Sequence, residues 1–488
     1  MDAGADPDAG VAADTGVSEI DSGPAPDAGA VDAAPDAGLT DSGEALDAGE
    51  VDAGGFVPPS FGRWEKFEPA GAVCADGSQY KVFINFSSTS DNVVFFFEGG
   101  GACWDYASCT GTGVRSAANK NGLADTHATA HANFGGFSVP VDLVYPLLNN
   151  DSRVNPMADW NKVFMPYCTG DVFTGDTTVT YDDPNAVEPS VEFHHAGHRN
   201  VLQTVDMLSG MFDSIPRMFV SGCSAGGAGA VTNYHYLRSG LNVDRGFLLN
   251  DSGPIFPDQA MTSRSLPLHN RVRASWNSDP LIASAPMSQA LMADFGQLGQ
   301  VLASTYPQDR LAHTHFRLDY NYSLYSYERF YSVDPKSDAI EIYGDGSGLG
   351  DLGLLETEWR DRAAVYSLWW DDTELLKAQF DAEANLGYFM PFYRETNNSH
   401  CLTIPGFGEF TEEELASVFI NDYPTLAWAG TEISTSSGAM NIRDYVEHML
   451  DEAAPLQSVF ETEGEGRYLA CTPDVAYYDE TMCAAAHP

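Results

Sequence analysis

The stretch Ser221-Gly222-Cys223-Ser224-Ala225-Gly226-Gly227-Ala228-Gly229 separates two different sequence patterns. The apolar run 217–220 before it is typical of a strand, and residues 228–237 after it are compatible with a helix. Glycines stand two residues before and two residues after Ser224, and they allow a sharp turn. The helix N-terminus behind such a turn offers N–H groups to an oxyanion. The stretch therefore predicts a nucleophilic serine on a strand-turn-helix elbow.

Apolar runs and helix-compatible segments alternate on both sides of this elbow. Such alternation predicts an α/β fold with a mostly parallel central sheet and helices on both faces. The run 92–98 is apolar almost throughout, as in a strand that is covered on both faces. The predicted strands are 79–86, 92–98, 162–167, 217–220, 246–249, 315–320 and 386–393, and the predicted helices are 200–212, 228–237, 267–305, 322–331 and 354–385.

The N-terminal part of the chain has a different composition. Asp-Ala-Gly recurs from Asp2 to Asp52 with interspersed prolines, and the first basic residue is Arg63. A segment with so little apolar surface to bury is predicted to be a solvated linker, and its aspartates lack the spacing of a calcium loop. We expect a disordered linker at 1–58, a catalytic domain at 59–455 and a C-terminal extension at 456–488, closed by a disulfide between Cys471 and Cys483.

The charge balance excludes several classes of partner. The chain of 488 residues carries 24 Lys and Arg against 70 Asp and Glu, a net charge of −46. Nucleic acids and anionic membranes need a basic surface, so neither is expected as a partner. No apolar stretch reaches the length of a membrane-spanning helix. The linker and the eight cysteines instead favour an exported or surface-tethered monomer, although no export signal precedes the linker.

Two loops supply the other groups that a nucleophilic serine needs. The glycines Gly99 to Gly101 directly follow the apolar run, and the N–H groups of Gly100, Gly101 and Ala225 are the predicted oxyanion hole. A phosphate site is disfavoured because no Gly-Lys-Ser/Thr follows these glycines. His400 comes after the last predicted strand and after the serine in chain order, which predicts that it is the general base.

The acid that orients this histidine is less well determined. Asp319 near the end of the penultimate strand is the leading candidate, and Asp251, after the strand that follows the serine elbow, is the alternative. Asp371 and Asp372 are expected on a helix surface. His194, His195 and His198 form another cluster, but no carboxylate stands among them as in His-Glu-x-x-His, so we interpret them as structural. No metal or cofactor is expected.

With these features, the chain resembles the pectin acetylesterase and Notum family of α/β-hydrolases. The resemblance covers about residues 70 to 450, and its motifs occur in the order of the family. They are Phe96-Phe97-Glu98-Gly99-Gly100-Gly101 with Cys103 and Cys109, Met165-Pro166-Tyr167-Cys168-Thr169-Gly170-Asp171-Val172, Gly222-Cys223-Ser224-Ala225-Gly226-Gly227, Asp251-Ser252-Gly253, and Ser399-His400-Cys401.

This resemblance implies hydrolysis of a carboxylic ester without a metal, on acetylated pectin in plant members and on a fatty-acylated signalling protein in Notum. It implies that Ser224 is the nucleophile and His400 the base. It also implies the disulfides Cys74–Cys168 and Cys103–Cys109, and we hypothesise a third between Cys223 and Cys401. One departure concerns the acid, because Ser323 stands where the family has an Asp, and Asp319 lies one helical turn earlier.

The resulting prediction is a serine carboxylic-ester hydrolase that removes acetyl or other acyl groups from an extracellular polysaccharide or a similar substrate. The main alternative is a non-catalytic, surface-tethered protein that binds glycans on the same fold. A peptidase that uses the same elbow is a third possibility, since a fold does not fix a function.

Overall fold

The central strands consist almost entirely of buried residues, as a sheet covered on both faces requires. The computed structural model describes residues 56–134, 137–258, 263–286, 288–333, 340–342, 346, 359–394, 399–405, 423–436 and 438–461. In this part of the chain the strands are β1 (Trp64–Phe67), β2 (Val82–Asn85), β3 (Val93–Phe97), β4 (Ala132–Phe134), β5 (Phe137–Val139), β6 (Asn161–Met165), β7 (Thr177–Tyr181), β8 (Val191–His195), β9 (Ile215–Cys223), β10 (Val243–Asp251), β11 (Arg310–Thr314), β12 (Tyr331–Val333), β13 (Ile340–Ile342), β14 (Leu386–Met390), β15 (Ile433–Thr435), β16 (Gly438–Met440) and β17 (Val459–Phe460).

Nine of the described strands form one sheet in the order β1-β2-β6-β3-β9-β10-β11-β14-β17. The strands β1 and β2 are antiparallel to their neighbours, and every other pairing in this sheet is parallel. The remaining described strands pair as antiparallel hairpins. The predicted mostly parallel sheet is therefore confirmed.

Helices cover both faces of this sheet, because its strands send alternate side chains to opposite sides. In β3, Phe95 and Phe97 join one apolar cluster, and Phe96 joins the other. The described helices are Tyr106–Thr110, Val141–Val144, Gly197–Ser209, Ala225–Gly240, Leu266–Trp276, Asp279–Ser284, Ser288–Ala293, Leu298–Thr305, Tyr320–Tyr327, Trp359–Phe380, Tyr423–Leu426 and Ile442–Leu450, with 3₁₀ turns at Pro146–Leu148 and Phe295–Gln297. None of these described helices combines the length and apolar character needed to cross a bilayer.

Close packing of the helix Ala225–Gly240 on the sheet depends on its first glycines. A Cβ atom on Gly226 would overlap the carbonyl oxygen of Phe97 at the end of β3. β3 and β9 run parallel with Phe97 opposite Gly222, so the ends of both strands meet beneath this helix N-terminus. The glycines of the quoted stretch therefore bring Ser224 to the edge where the carboxyl ends of the parallel strands meet.

Several predicted elements differ from the observed ones. The penultimate core strand is β11 at Arg310–Thr314, five residues earlier than predicted, and the segment up to Asp319 is a turn. The predicted helix at 267–305 is a series of short helices, because Asn277 ends the first one in the left-handed conformation and Pro280 stands in the first turn of the next. The prediction that Asp372 lies on a helix surface is wrong, because its buried carboxylate accepts hydrogen bonds from Arg264 N and Ser265 N.

The predicted domain boundaries differ from the observed elements at one point, and the predicted terminal segments consist largely of residues outside the described ones. The main sheet includes β17, which begins four residues after the predicted domain boundary at 455. Residues 1–55, which contain most of the predicted linker, lie outside the described residues, and so do Cys471 and Cys483 with the rest of 462–488. The division of the chain at 58 and 455 stays a prediction.

Candidate active site

Ser224 lies at the turn between β9 and the helix Ala225–Gly240, with φ +58° and ψ −122°. A non-glycine residue with positive φ is strained, and the surrounding structure must hold it in place. The N–H of Ser224 donates to Asp251 O at 2.8 Å, and Ala228 N donates to Ser224 O at 3.0 Å. The side chain is therefore presented by a fixed backbone, with 9% of the residue exposed.

The glycine loop after β3 lies directly against this elbow. A Cβ atom placed on Gly99 would be 3.4 Å from Ser224 Cβ. Gly100 and Gly101 have φ values of +144° and +71°, which non-glycine residues rarely adopt. Gly101 and Ala225 line the same cavity as Ser224, whereas the carbonyl of Gly100 accepts a hydrogen bond from Ala118 N at 2.8 Å.

His400 and Asp319 are brought together from distant parts of the chain. His400 Nδ1 lies 2.9 Å and 3.0 Å from the two carboxylate oxygens of Asp319, which is fully buried. Asp319 also caps the helix Tyr320–Tyr327 by accepting from Tyr322 N at 3.0 Å. The helix cap and the burial therefore hold the carboxylate in a rigid position that faces the imidazole.

Asp251, the alternative acid, has different partners. Its carboxylate accepts from Leu402 N, Thr403 N and Thr403 Oγ1 at 3.0, 2.8 and 2.6 Å. Burial raises the pKa of Asp251, and the hydrogen bonds from Thr403 and Leu402 act in the opposite direction. This carboxylate holds the backbone that follows His400, so its observed contacts are those of a structural anchor.

Two further groups fix the loop that carries His400. The buried guanidinium of Arg394 donates to the carbonyl oxygens of His400 and Cys401 at 3.3 and 2.6 Å. Burial lowers the pKa of Arg394 to about 10, although the charge of Asp251 raises it. A disulfide joins Cys223 to Cys401, and a ring nitrogen of His400 lies within 4.8 Å of both sulfur atoms. The residues next to Ser224 and His400 in sequence are therefore covalently linked.

Removing this disulfide is expected to reduce both stability and any activity of the site. The Cys223→Ala/Cys401→Ala double variant loses a crosslink with a sequence separation of 178, which is worth about 2–4 kcal/mol of unfolding free energy. The Cys74→Ala/Cys168→Ala variant is the matched control, because it removes a disulfide elsewhere. Thermal melts and ester-hydrolysis rates should show a loss of stability in both variants and a lower kcat only in the first. An equal kcat in both would contradict a positioning role.

A cavity of about 1150 Å³, counting space open to solvent, extends from Ser224. Its wall is predominantly apolar and includes much of the helix Leu266–Trp276. The apolar and aromatic lining residues are Trp104, Val172, Ile255, Phe256, Leu266, Leu268, Val272, Trp276, Ile282, Phe295, Tyr322 and Tyr325. The lining also includes Asp258, His269, Arg273 and Asp294. A mostly apolar cavity with some polar groups is the usual form of a small-molecule site.

The predicted disulfide pairings and the cluster of His194, His195 and His198 can be compared directly with the structure. Cys74–Cys168, Cys103–Cys109 and Cys223–Cys401 are all disulfide-bonded, which confirms both the implied pairs and the hypothesised one. His195 bonds Thr169 O and Tyr181 OH at 2.9 and 2.8 Å, and His198 bonds Asn233 Oδ1 at 2.9 Å. Both histidines therefore have hydrogen-bonded positions within the fold.

Sequence reasoning missed two parts of this site. Nothing in the sequence around Arg394 or Thr403 marked them as anchors of the His400 loop, because their partners are more distant backbone atoms and Asp251. The cavity was missed as well, since its lining comes from segments between 101 and 326. The one available signal was the Asp251-Ser252-Gly253 motif, whose Ser252 Oγ accepts from Cys401 N at 3.1 Å.

Comparisons with known proteins agree with these motifs. The sequence model of the Pectinacetylesterase family matches residues 65–272. Among curated proteins, the chain is similar to pectin acetylesterases 11 and 7 of Arabidopsis thaliana, with 30% identity over 176 residues and 31% over 174 residues. Each alignment covers 35% of this chain and 39% of the relative, so the chain matches well under half the length of these proteins.

A palmitoleoyl-protein carboxylesterase Notum of Schmidtea mediterranea is 26% identical over 173 residues, which are 34% of this chain and 29% of that protein. Among solved structures, the Wnt deacylase Notum from Drosophila covers 68% of this chain and 86% of its own, with 17% identity and a TM-score of 0.40. The sequence matches include the glycine loop and the serine elbow, and the ordered motifs continue to His400. Over the matched residues 65–272 the chain is therefore similar to the Pectinacetylesterase family.

Proposed function

We propose that this chain is a serine carboxylic-ester hydrolase that removes an acyl group from an extracellular carbohydrate or a similar carrier. The observation that carries the proposal is the hydrogen bond between His400 Nδ1 and the buried Asp319, at an imidazole that a disulfide ties to the Ser224 elbow. Geometry of this kind is the recognised arrangement of nucleophile, base and orienting acid.

The pairing with Asp319 determines which nitrogen acts as the base. With Nδ1–H donating to the carboxylate, Nε2 of His400 is the acceptor and can take the hydroxyl proton of Ser224. Ser224 Oγ then bonds to the ester carbonyl carbon, and the alkoxide leaving group departs with the proton from Nε2. A water molecule then gives a proton to the same nitrogen while its oxygen bonds to the acyl carbon. The bond from this carbon to Ser224 Oγ breaks, Nε2 returns the proton to Oγ, and the carboxylic acid leaves.

The glycine loop and the elbow helix would stabilise the tetrahedral intermediate. Gly101 and Ala225 border the cavity beside Ser224, so their N–H groups are our leading oxyanion donors, with Gly100 as the predicted third. One such donor typically contributes about 10²–10³ in kcat. Backbone donors are suited to this task because they need no reorganisation when the charge forms.

A phosphonate ester offers a direct test of the proposed nucleophile. A p-nitrophenyl alkylphosphonate should label the folded chain about once, because an activated serine displaces the phenolate and the tetrahedral adduct resembles the intermediate. Mass spectrometry of the digested protein should place the adduct on Ser224, and prior denaturation should abolish the labelling. Labelling at another residue, or none while the protein is folded, would overturn the proposal and favour the non-catalytic glycan-binding alternative.

The apolar cavity favours a second version of this proposal, in which the ester that is hydrolysed carries an acyl group longer than acetyl. An acetyl group would leave most of this wall exposed to water, whereas a longer chain would bury it. Each buried methylene is worth about 0.8 kcal/mol, or roughly fourfold in kcat/KM while the cavity still has room. The pectin acetylesterase relatives are named for acetyl esters, and the Notum relative for a palmitoleoyl ester.

Narrowing the cavity should change this chain-length preference. Val272 lies on the helix Leu266–Trp276 and lines the cavity, so Val272→Trp is expected to fill part of it. We expect kcat/KM for p-nitrophenyl decanoate to fall by about tenfold or more, because two or more methylenes lose their site, with little change for p-nitrophenyl acetate. Leu202→Trp on an exposed helix position is the control and should change neither rate. An equal loss for both esters would rule out the cavity as the acyl site.

We further propose that the protein acts outside the cell, where disulfides persist. The described residues hold three disulfides, and two of them fix segments of the site. The identity of the carrier, and any tethering through the N-terminal segment, are proposals that rest on the sequence. The net charge of −46 disfavours a polyanionic carrier such as de-esterified pectin.

A further inference from the structure

A buried cluster of Glu98, His127 and His131 lies beside the glycine loop, and the proposed reaction does not use it. Glu98 is the last residue before Gly99, and the two histidines come from the segment after the helix Tyr106–Thr110. One ligand atom from each residue, a carboxylate oxygen and two ring nitrogens, lies within 4.8 Å of the others. The side chains are only 6%, 11% and 9% exposed.

The distances within this cluster match a shared metal ion. His127 Nε2 lies 3.1 Å from Glu98 Oε1, and His131 Nδ1 lies 3.6 Å from the same oxygen. Two ligand atoms that each bind tetrahedral Zn²⁺ at about 2.0–2.1 Å are roughly 3.3 Å apart. The separation of 3.6 Å is beyond a hydrogen bond, but it is close to this ligand spacing.

A second observation indicates that an atom from outside the protein binds at this cluster. Among the described residues, His131 Nδ1 is a buried nitrogen without a hydrogen-bond partner. Its other nitrogen, Nε2, lies 3.2 Å from Tyr145 OH. A buried polar atom without a partner costs about 1–3 kcal/mol, so such atoms are rare unless something binds them.

The surroundings resemble the outer shell of a metal site. Glu98 Oε2 accepts a hydrogen bond from Tyr167 N at 2.8 Å, and Asn119 Nδ2 lies 3.4 Å from both carboxylate oxygens, so the carboxylate is held in place with both oxygens 3.1 Å from His127 Nε2. Tyr145 bonds the outer nitrogen of His131, as partners of ligating histidines commonly do. Phe164 stacks on the His127 ring and meets the His131 ring edge-on, which limits the access of water. The other described clusters of this kind contain disulfide sulfurs, which are not thiolates.

We propose that Glu98, His127 and His131 bind one divalent transition-metal ion, with Zn²⁺ as the best match. Two imidazoles and one carboxylate suit Zn²⁺ and disfavour Ca²⁺ and Mg²⁺, which prefer all-oxygen sites. The ion joins the segment that contains both histidines to the carboxyl end of β3. It therefore holds the start of the glycine loop, and it takes no part in the ester chemistry.

Metal content tests this proposal without any activity assay. The full-length chain is stripped of metal with EDTA and dialysed against ZnCl₂ in the presence of excess MgCl₂. Its zinc content per chain is then measured by elemental mass spectrometry. The wild type should retain about one Zn²⁺ per chain, and Co²⁺ in its place should give the visible absorption of a tetrahedral site. Zinc at about 100 times its Kd should raise Tm by about 3 °C.

Variants identify the ligands. His131→Gln should lose the retained zinc and the zinc-dependent rise in Tm. Tyr145→Phe, which keeps all three ligands, should weaken zinc binding by about 10–100-fold. His235→Gln is the matched control, because His235 also bonds a tyrosine hydroxyl, that of Tyr306, but lies outside the cluster. A wild type that keeps no zinc, or a His131→Gln variant that keeps as much as the wild type, would overturn the proposal. The cluster would then be a hydrogen-bonded ion pair of Glu98 and His127.

Discussion

Replacing Ser224 with alanine is expected to lower kcat for p-nitrophenyl esters by about 10⁵-fold or more, with the protein folded as before. The variant has no oxygen to form the acyl-enzyme, so only the oxyanion donors and His400 remain to act on a bound ester. After the loss of a nucleophile, such groups typically still accelerate the reaction about 10³–10⁴-fold over its rate in water. The small change at a buried turn should leave Tm within a few degrees, because Ala tolerates the site no worse sterically than Ser.

A second serine in the cavity wall separates this effect from a general disturbance of the site. Ser326 also lines the cavity, but its hydroxyl donates to Tyr322 O at 3.0 Å within its own helix. Ser326→Ala should therefore change kcat by less than about threefold, because a hydrogen bond of this kind contributes only about 1 kcal/mol. If Ser224→Ala kept more than a tenth of the wild-type kcat, the serine mechanism would be wrong.

The parts of the fold that the sequence predicts best are those where a local pattern determines the structure. The run at β3 is apolar at every position, and only a strand covered on both faces places all of its residues in the core. The glycines around Ser224 likewise have a local reason, because the turn and the close approach of Phe97 exclude larger residues. Both features could therefore be predicted within a few residues.

Features that depend on partners far along the chain were not predictable in the same way. Asp251 is the last residue of β10 and Asp319 follows β11, and only the folded structure distinguishes their partners, which are the backbone of 402–403 and the imidazole of His400. Asp372 has the local sequence of a helix surface, yet Tyr327 and the residues at 264–265 enclose it. Glu98 lies 29 residues from His127, a spacing that matches no familiar metal motif.

Replacing Asp319 with asparagine is expected to lower kcat by about 10⁴-fold while the fold persists. The amide of Asn is isosteric with the carboxylate, and its oxygen can still accept from Tyr322 N at the helix N-terminus. It offers no negative charge to the imidazolium that forms when Ser224 is deprotonated. Its NH₂ group can also donate to Nδ1, which leaves the proton on Nε2 and removes the base.

The Asp251→Asn variant makes this experiment decisive for the choice of acid. Asp251 accepts three hydrogen bonds from the residues after His400, and an amide NH₂ group in the same place would face donors instead of accepting from them. We therefore expect Asp251→Asn to cost about 2–4 kcal/mol of unfolding free energy, and to lower kcat only as far as the His400 loop is displaced. Urea titrations and kcat values should thus separate the two variants, with Asp319→Asn stable but slow and Asp251→Asn unstable but faster. The reverse pattern would assign the acid to Asp251, because the residue whose loss removes the rate without removing the fold is the one that orients the base.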